Sequence, residues 1–267
     1  MEGVRSASGE RVRKLSSVQR ALQLLRMFVD SDNGWNVTEV AREMGVSKSV
    51  VSRLMATLAA DGFLIMQHET RRYFIGPVAF EVGTRFEGAD LGRALQPILR
   101  DLAERTNATA QLGTLQGPFV SFLAVSVSGG MLRVVATPGE RRYVHVSAIG
   151  KALMAELPRV EQQAVIESMQ VDGLLPPSAP ATMRDPEKFL RSLETIHERG
   201  YSTSTGETEA TIAAVGMAVS KVGSFPLAIS VSYPASRYSE DDHPRLVKEL
   251  QAATASARRL WSGTIEE

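Results

Sequence analysis

The stretch Asn36–Leu64, NVTEVAREMGVSKSVVSRLMATLAADGFL, reads as two short helices joined by a tight turn. Asn36 with Glu39 three residues on is an N-cap pair, and Val40, Ala41 and Met44 then recur at helical spacing, so a first helix runs to about Met44. Gly45 ends it, because glycine enters positive φ without steric cost. Val46 is placed to plug the angle between the helices, and Ser47 to accept a hydrogen bond from the free amides of a second helix. In that helix Val50, Val51, Leu54 and Leu58 share one face. Lys48, Ser49, Ser52, Arg53 and Ala56 share the other, which is small, polar and basic.

Short hydroxyls let a helix approach base edges and phosphates, while Lys48 and Arg53 can reach phosphate oxygens or the acceptor edge of guanine. An amphipathic helical hairpin alone is more often just a solvated surface. The next segment alters that reading. Two β-prone runs, Gly62–Met66 and Arg72–Ile75, flank the polar tip Gln67, His68, Glu69, Thr70 and Arg71, the pattern of a short hairpin. Helix, turn, helix and a basic-tipped hairpin make a winged helix-turn-helix, with Ser47, Lys48, Ser49, Ser52 and Arg53 at the DNA and Arg71 and Arg72 on the wing beside it. Upstream, Val18, Ala21, Leu22, Leu25 and Phe28 or Val29 predict a supporting helix from Ser16.

The 267 residues suffice for two domains, and 43% hydrophobic with 22% charged residues is ordinary for a globular chain. Thirty basic and thirty acidic side chains cancel, so attraction to nucleic acid has to come from local clusters. With no cysteine there is no disulfide, thiolate nucleophile or Cys-based zinc site. The first residues lack the apolar core of a signal peptide and no run is long enough to span a membrane, so a soluble, cytoplasmic protein is expected.

The order of segments predicts a flexible basic arm over 1–15, the winged unit over 16–76, a linker helix over 77–90 and a larger domain over 91–267. That domain should open with a helix over Ala94–Arg105, with Pro97 in its first turn. Strands follow over Thr109–Leu115, Phe119–Val127 and Met131–Ala136, then a basic loop with Arg141 and Arg142. Helices are expected over Ser147–Glu156, Arg159–Met169 and Asp185–Arg199, strands over Tyr201–Thr205, Ile212–Lys221 and Pro226–Tyr233, and a closing helix over Glu240–Trp261. Adjacent strands bracketed by helices indicate an α+β domain whose antiparallel sheet is covered mainly on one face.

Catalytic patterns are missing. Ile149, Gly150 and Lys151 resemble the end of a phosphate-binding loop, but His145 stands where its first glycine belongs and Ala152 where its hydroxyl belongs. The four histidines are far apart, and neither an HExxH pair nor a GxSxG elbow occurs. Glu207 and Glu209, two apart in a loop, read as solvated. The residues therefore argue against an enzyme and imply no metal and no cofactor.

Five segments in order resemble the IclR family of bacterial transcriptional regulators: SSVQRALQLLRMF from Ser16, VTEVAREMGVSKSVVSRLMATLAADGFL from Val37, VHVSAIGKALMAELP from Val144, RGYSTSTGETEATIAAVGMAV from Arg199 and LAISVSYPASRYS from Leu227. The resemblance implies a C-terminal effector domain of GAF-like or profilin-like fold, assembly as a homodimer or homotetramer on double-stranded operator DNA, and a small organic acid as effector, with repression or activation as the outcome. Carried onto this chain, the family's pocket falls on Met131 and Val134, Ala148 and Ile149, Ser204, Ile212, Ala214, Ser230 and Ser232. Ser230 and Ser232, two apart on a strand, point to one face and could hold a carboxylate together with the amides that open the Ser147 helix. Arg141 or Arg142 could add a guanidinium clamp, although adjacent loop arginines are commonly solvated. Ser204 stands where the family often has an acidic residue, Ala214 where it often has cysteine, and Ala218 replaces a frequent proline. This less polar wall suggests an aromatic or otherwise larger acid. The competing reading is a GAF-like effector or enzyme domain whose winged helix makes protein contacts.

Overall fold

The computed structural model describes residues 16–31, 33–129, 137–222, 225–237 and 239–262. They fall into two compact units that divide between Glu87 and Gly88. The basic arm, the expected strand Met131–Ala136 and, with it, Met131 and Val134 lie outside the described residues.

The first unit contains α1 (Ser16–Met27), α2 (Val37–Met44), α3 (Lys48–Ala60), the hairpin strands β1 (Leu64–Gln67) and β2 (Arg72–Ile75), and α4 (Pro77–Gly83). The capping box forms as read: the Asn36 side chain accepts from the Thr38 and Glu39 amides, and the Glu39 carboxylate accepts from the Asn36 amide. Gly45 sits at φ 63°, the left-handed conformation that ends α2 and turns the chain into α3. Ser47 occupies the N-cap position of α3, but its hydroxyl pairs with that of Ser49 at 3.1 Å and caps no amide.

Leu24, Phe28, Val40, Ala41, Val51, Met55 and Leu64 form the core of this unit. Two corrections follow from it. Leu24 of α1 and Phe28 just beyond its end are the buried positions; of the expected face, Ala21 and Leu25 are half-buried, while Val18, Leu22 and Val29 are about half exposed. On α3 the side chains driven deepest are Val51 and Met55; Val50, Leu54 and Leu58 are half-buried around them. Tyr73 and Trp35 exchange backbone hydrogen bonds at 2.8 and 3.0 Å, which ties the wing to the segment before α2.

The second unit is built on a six-stranded antiparallel sheet in the order β5-β4-β3-β8-β7-β6. Its strands are β3 (Thr109–Gln116), β4 (Phe119–Val127), β5 (Arg141–Tyr143), β6 (Ser202–Thr205), β7 (Ile212–Val222) and β8 (Phe225–Pro234). The helices are α5 (Glu87–Thr106), α6 (Ala148–Ala155), α7 (Arg159–Met169), α8 (Pro186–Arg199) and α9 (His243–Ser262). The α+β reading with an antiparallel sheet holds. Coverage of one face does not: Leu91, Leu95, Leu99 and Leu102 of α5 and Leu246, Leu250 and Ala253 of α9 pack on one side. Ile149, Leu153 and Met154 of α6 with Ile166 of α7 and Phe189 and Leu193 of α8 pack on the other. Both faces of the sheet are therefore covered, and β8 is buried without a break from Leu227 to Tyr233.

Three further expectations change. Arg141 and Arg142 lie on edge strand β5, opposite Ser121 and Val120, and not in a loop. Helix α5 begins well before Ala94, so Pro97 falls in its interior, where its exposed ring sits on the face away from the sheet. Leu112 pairs with Ala124 and Gly113 with Phe122, so Leu123 is an extra residue that bulges out of β4. The bulge reverses the alternation: Val120 and Phe122 face α6, while Ala124 faces α5 and α9.

Candidate DNA-reading face and effector cavity

Lys48, Ser49, Ser52, Arg53 and Ala56 are all exposed on α3, opposite the buried Val51 and Met55. The helix thus presents the short, basic face that its sequence suggested. At the hairpin tip Arg71 is exposed at φ 56°, an unusual conformation for a residue with a Cβ. Arg72 has a different place. Its two terminal nitrogens grip the Glu39 carboxylate at 3.0 and 2.9 Å, its Nε donates to the Asn33 carbonyl at 2.7 Å, and one terminal nitrogen also reaches the Gly34 carbonyl at 2.9 Å. The guanidinium is engaged within the unit, joining the wing to the capping box of α2, so Arg72 is withdrawn from the DNA contacts. The Asn36 amide and the Arg72 guanidinium together hold the Glu39 carboxyl below the usual carboxylate range. Replacing Arg72 by alanine should lower the stability of the winged unit by about 1–2 kcal/mol through loss of charge-assisted hydrogen bonds at a partly exposed site, read from a denaturant titration. An unaltered midpoint would remove this clamp role.

In the second unit a cavity opens on the α6 face of the sheet. Gly216 on β7 is pressed against the start of α6, and a Cβ there would come within 2.7 Å of the Ala148 carbonyl group, so only glycine lets the helix end approach the strands this closely. The cavity is lined by Gln111, Phe122, Arg142, Ser147, Ala148, Ser204, Thr208, Ile212, Ala214, Ser230 and Ser232. Six of the positions expected from sequence are thus brought together: Ala148, Ser204, Ile212, Ala214, Ser230 and Ser232. Ile149 is not among the lining residues; its side chain is buried in the core with α6 and α8. Gln111, Phe122, Arg142, Ser147 and Thr208 line the cavity although the pocket carried over by resemblance did not include them.

The strand register assembles the polar wall. Gln111 lies opposite Ser230, and Ala214 lies between Ser232 and Ser204 on neighbouring strands. Ser230 and Ser232 both donate to Gln111 Oε1, each at 3.0 Å. Ser204 and Thr208 both donate to the Val146 carbonyl, each at 2.8 Å. The Ser147 oxygen accepts from the Gly150 amide at 3.4 Å and so caps α6. At the outer end the Arg142 guanidinium pairs with Glu140 at 2.8 Å, stands 3.8 Å from Glu209 and lies 5.9 Å from the centre of the Phe122 ring. In this conformation the cavity measures about 20 Å³, room for one water.

Among the described residues no group of His, Cys, Asp and Glu is arranged to hold a metal ion, and no helix is long and apolar enough to cross a membrane.

Comparison with known proteins places both units. The profile described as "IclR helix-turn-helix domain" matches residues 17–65, and that described as "Bacterial transcriptional regulator IclR C-terminal" matches residues 84–259. The chain belongs to the IclR family of bacterial transcriptional regulators. It is 31% identical over 251 residues to the HTH-type transcriptional regulator BhcR of Paracoccus denitrificans, covering 93% of this chain and 87% of that one. It is 29% identical to the regulator XynR of Escherichia coli K12, covering 92% and 96%. Among solved structures, an IclR transcriptional regulator from Silicibacter sp. TM1040 superposes with a TM-score of 0.80 at 26% identity, covering 92% of this chain and 96% of that one. An IclR homologue from Microbacterium hydrocarbonoxydans, solved with 4-hydroxybenzoate, shares the fold with a TM-score of 0.77 at 21% identity, covering 93% and 100%. As an IclR-type protein this chain is a DNA-binding transcriptional regulator.

Proposed function

We propose that this IclR-type regulator senses a small organic acid, aromatic or otherwise larger than a two- or three-carbon acid, in the cavity at the start of α6, and reads operator DNA with Ser47, Lys48, Ser49, Ser52, Arg53 and Arg71. The observation that carries the sensing role is a cavity lined by hydroxyls, an amide and one guanidinium at the mouth of a helix, with Phe122, Ile212 and Ala214 as apolar wall. The Microbacterium relative solved with 4-hydroxybenzoate makes an aromatic acid a fitting first candidate. One winged unit reads only a few base pairs, so a homodimer or pair of dimers would share a palindromic site with half-sites close to whole helical turns apart. An effector shifts DNA binding only through unequal affinity for two arrangements of the protein. A cavity with room for only about one water supplies that inequality, because an acid selects an arrangement in which the cavity is wider.

The test begins with DNA. Arg53→Ala should weaken operator binding by about 1–3 kcal/mol while leaving unfolding unchanged, because Arg53 is exposed and belongs to no core. Parent affinity should fall steeply with salt. Fluorescence anisotropy with a labelled operator reads both quantities. Equal affinity and equal base preference in Arg53→Ala would mean that another surface reads the DNA. Turnover of an acid by a protein with no affinity for any genomic site would favour the enzyme reading instead.

A further inference from the structure

We propose that the cleft between the end of α5, the end of β8 and the first turn of α9 is a second small-molecule site, which takes a compact phosphate-bearing anion.

The cleft lies on the face of the sheet opposite the cavity at the start of α6. Ser232 and Tyr233 are neighbours on β8 and so point to opposite sides: Ser232 lines that cavity, and Tyr233 lines this cleft with Leu246 of α9. The two share a strand and no lining residue, so the assignment does not depend on what occupies the cavity. The cleft measures about 250 Å³, just below the roughly 300–1,000 Å³ usual for small-molecule sites, which suits a metabolite of a few carbons.

Three elements each bring a guanidinium to it: Arg105 in the last turn of α5, Arg237 in the short turn after β8 and Arg245 in the first turn of α9. Asp242 is the one carboxylate on the lining among the described residues, and it accepts from the Ser239 amide at 3.3 Å. Like charges gathered on one concave surface are unfavourable until something neutralises them. Arg105 is neutralised, by Glu249 at 2.7 Å. Arg237 and Arg245 are not: among the described residues neither has an ion pair, and Arg237 makes no hydrogen bond. A terminal nitrogen of Arg245 stands 3.5 Å from the Arg105 carbonyl, where its charge offsets the negative end of α5. The lining is thus net positive.

Neutral donors complete it. Asn107, at φ 51° just beyond α5, accepts the Ser128 hydroxyl on Oδ1 at 3.3 Å, so its side-chain N–H groups remain for a ligand. Burial pushes the Tyr233 phenol up, Asp242 adds to this and Arg245 opposes it, so the hydroxyl keeps its proton at neutral pH. The positive end of α9 lies on the same side, at Arg245 and Leu246. A planar monocarboxylate is saturated by a single guanidinium fork, whereas a phosphate monoester offers three acceptor oxygens and about two charges. Donors arriving from three elements match the second. Inorganic phosphate and a phosphorylated metabolite share this chemistry, and the probes below separate them.

The test titrates the full chain calorimetrically with glycerol 3-phosphate, inorganic phosphate and succinate, in a zwitterionic buffer at fixed ionic strength. Glycerol 3-phosphate should bind the parent with a Kd below about 1 mM, about threefold or more tightly than inorganic phosphate and about tenfold more tightly than succinate. Arg237→Gln and Arg245→Gln should each weaken it about tenfold at a parent-like melting temperature, because both side chains are exposed. Arg245→Lys should recover much of that loss, since an ammonium still serves phosphate as a point charge. Asp242→Asn should tighten binding about two- to fivefold by removing the opposing charge while keeping an acceptor for the Ser239 amide. Arg142→Met, in the cavity at α6, should leave it unaltered. Loss in Arg142→Met with retention in both glutamine variants would put the anion in that cavity and overturn the site. Succinate binding as tightly as glycerol 3-phosphate would overturn the phosphate class, and inorganic phosphate binding as tightly as the ester would remove the organic ligand. A parent that binds neither phosphate below about 1 mM overturns the site altogether; weaker operator binding by the glutamine variants in that case would assign these guanidiniums to the DNA backbone.

Discussion

Glu207→Ala should destabilise the second unit by about 3–5 kcal/mol, the cost of leaving a buried charge without its partner. The Lys151 ammonium, on the second turn of α6, lies 2.5 Å from Glu207 Oε2 and also donates to the Thr203 carbonyl at 3.0 Å. The two side chains are only 9% and 16% exposed, so water cannot replace either partner. Burial pulls the Lys151 ammonium below its usual range and pushes the Glu207 carboxyl up, while their mutual attraction opposes both shifts. Without Glu207 the ammonium would retain one carbonyl and feel the unfavourable charge of Arg199. The pair ties the Glu207 segment to α6, and the segment's backbone is held in addition by Thr182, which donates to the Glu207 carbonyl at 2.7 Å, and by Ser178, which donates to the Thr208 carbonyl at 2.9 Å, next to Thr208 on the cavity lining. The double replacement Lys151→Met with Glu207→Leu should recover most of the loss, since an apolar pair of similar volume carries no desolvation cost. Calorimetric unfolding of the parent, the single variant and the double variant reads this directly. A Glu207→Ala protein melting with the parent would show that the pair contributes nothing.

Acidification should weaken the same unit through His145. The ring is fully buried between Tyr143 and Phe189, its Nε2 donates to the Pro176 carbonyl at 3.0 Å, and Nδ1 has no hydrogen-bond partner among the described residues. Burial lowers its pKa from 6.5 to about 4; the bond to Pro176 works against that shift, and the nearby Lys151 charge adds to it. The unfolded chain therefore takes up a proton as pH falls below 6.5 while the folded chain refuses it until about pH 4. Stability from this residue is complete above 6.5 and is lost as the pH falls through that window, by about 2–3 kcal/mol at the lower end. His145→Asn should be less stable at neutral pH but should show a flatter dependence between pH 6.5 and 4.5 than the parent, as measured by urea unfolding at several pH values. Equal slopes in the two proteins would assign the acid sensitivity to carboxylates.

Much of the first unit was legible because its decisive interactions are local. Asn36 and Glu39 are three residues apart, and Gly45 needs no distant neighbour to take φ 63°, so the ends of α2 and the turn into α3 follow from spacing alone. Strands β3, β4, β7 and β8 were likewise announced by β-branched and apolar runs between turn residues. The deepest position of α1 was not. Its apolar positions are frequent enough to suggest more than one stripe, and only packing against α3 selects Leu24 over Leu22.

The sequence by itself contains no cysteine, no HExxH pair and no GxSxG elbow, and it determined the polar, basic face of α3. Tertiary structure decided what each polar side chain does with its charge or proton. Arg72 reads as a wing residue until the fold places its guanidinium on Glu39, 33 residues away. Gln111 carries no motif at all and becomes the centre of the cavity wall only because strand register sets it opposite Ser230, 119 residues later in the chain. Arg142 could be called a loop residue until pairing with Val120 made it an edge-strand residue at the cavity mouth. Hydrogen bonds that close within a turn are specified by neighbouring residues, whereas contacts between distant residues depend on the register and bulges of a whole sheet, which no short stretch encodes.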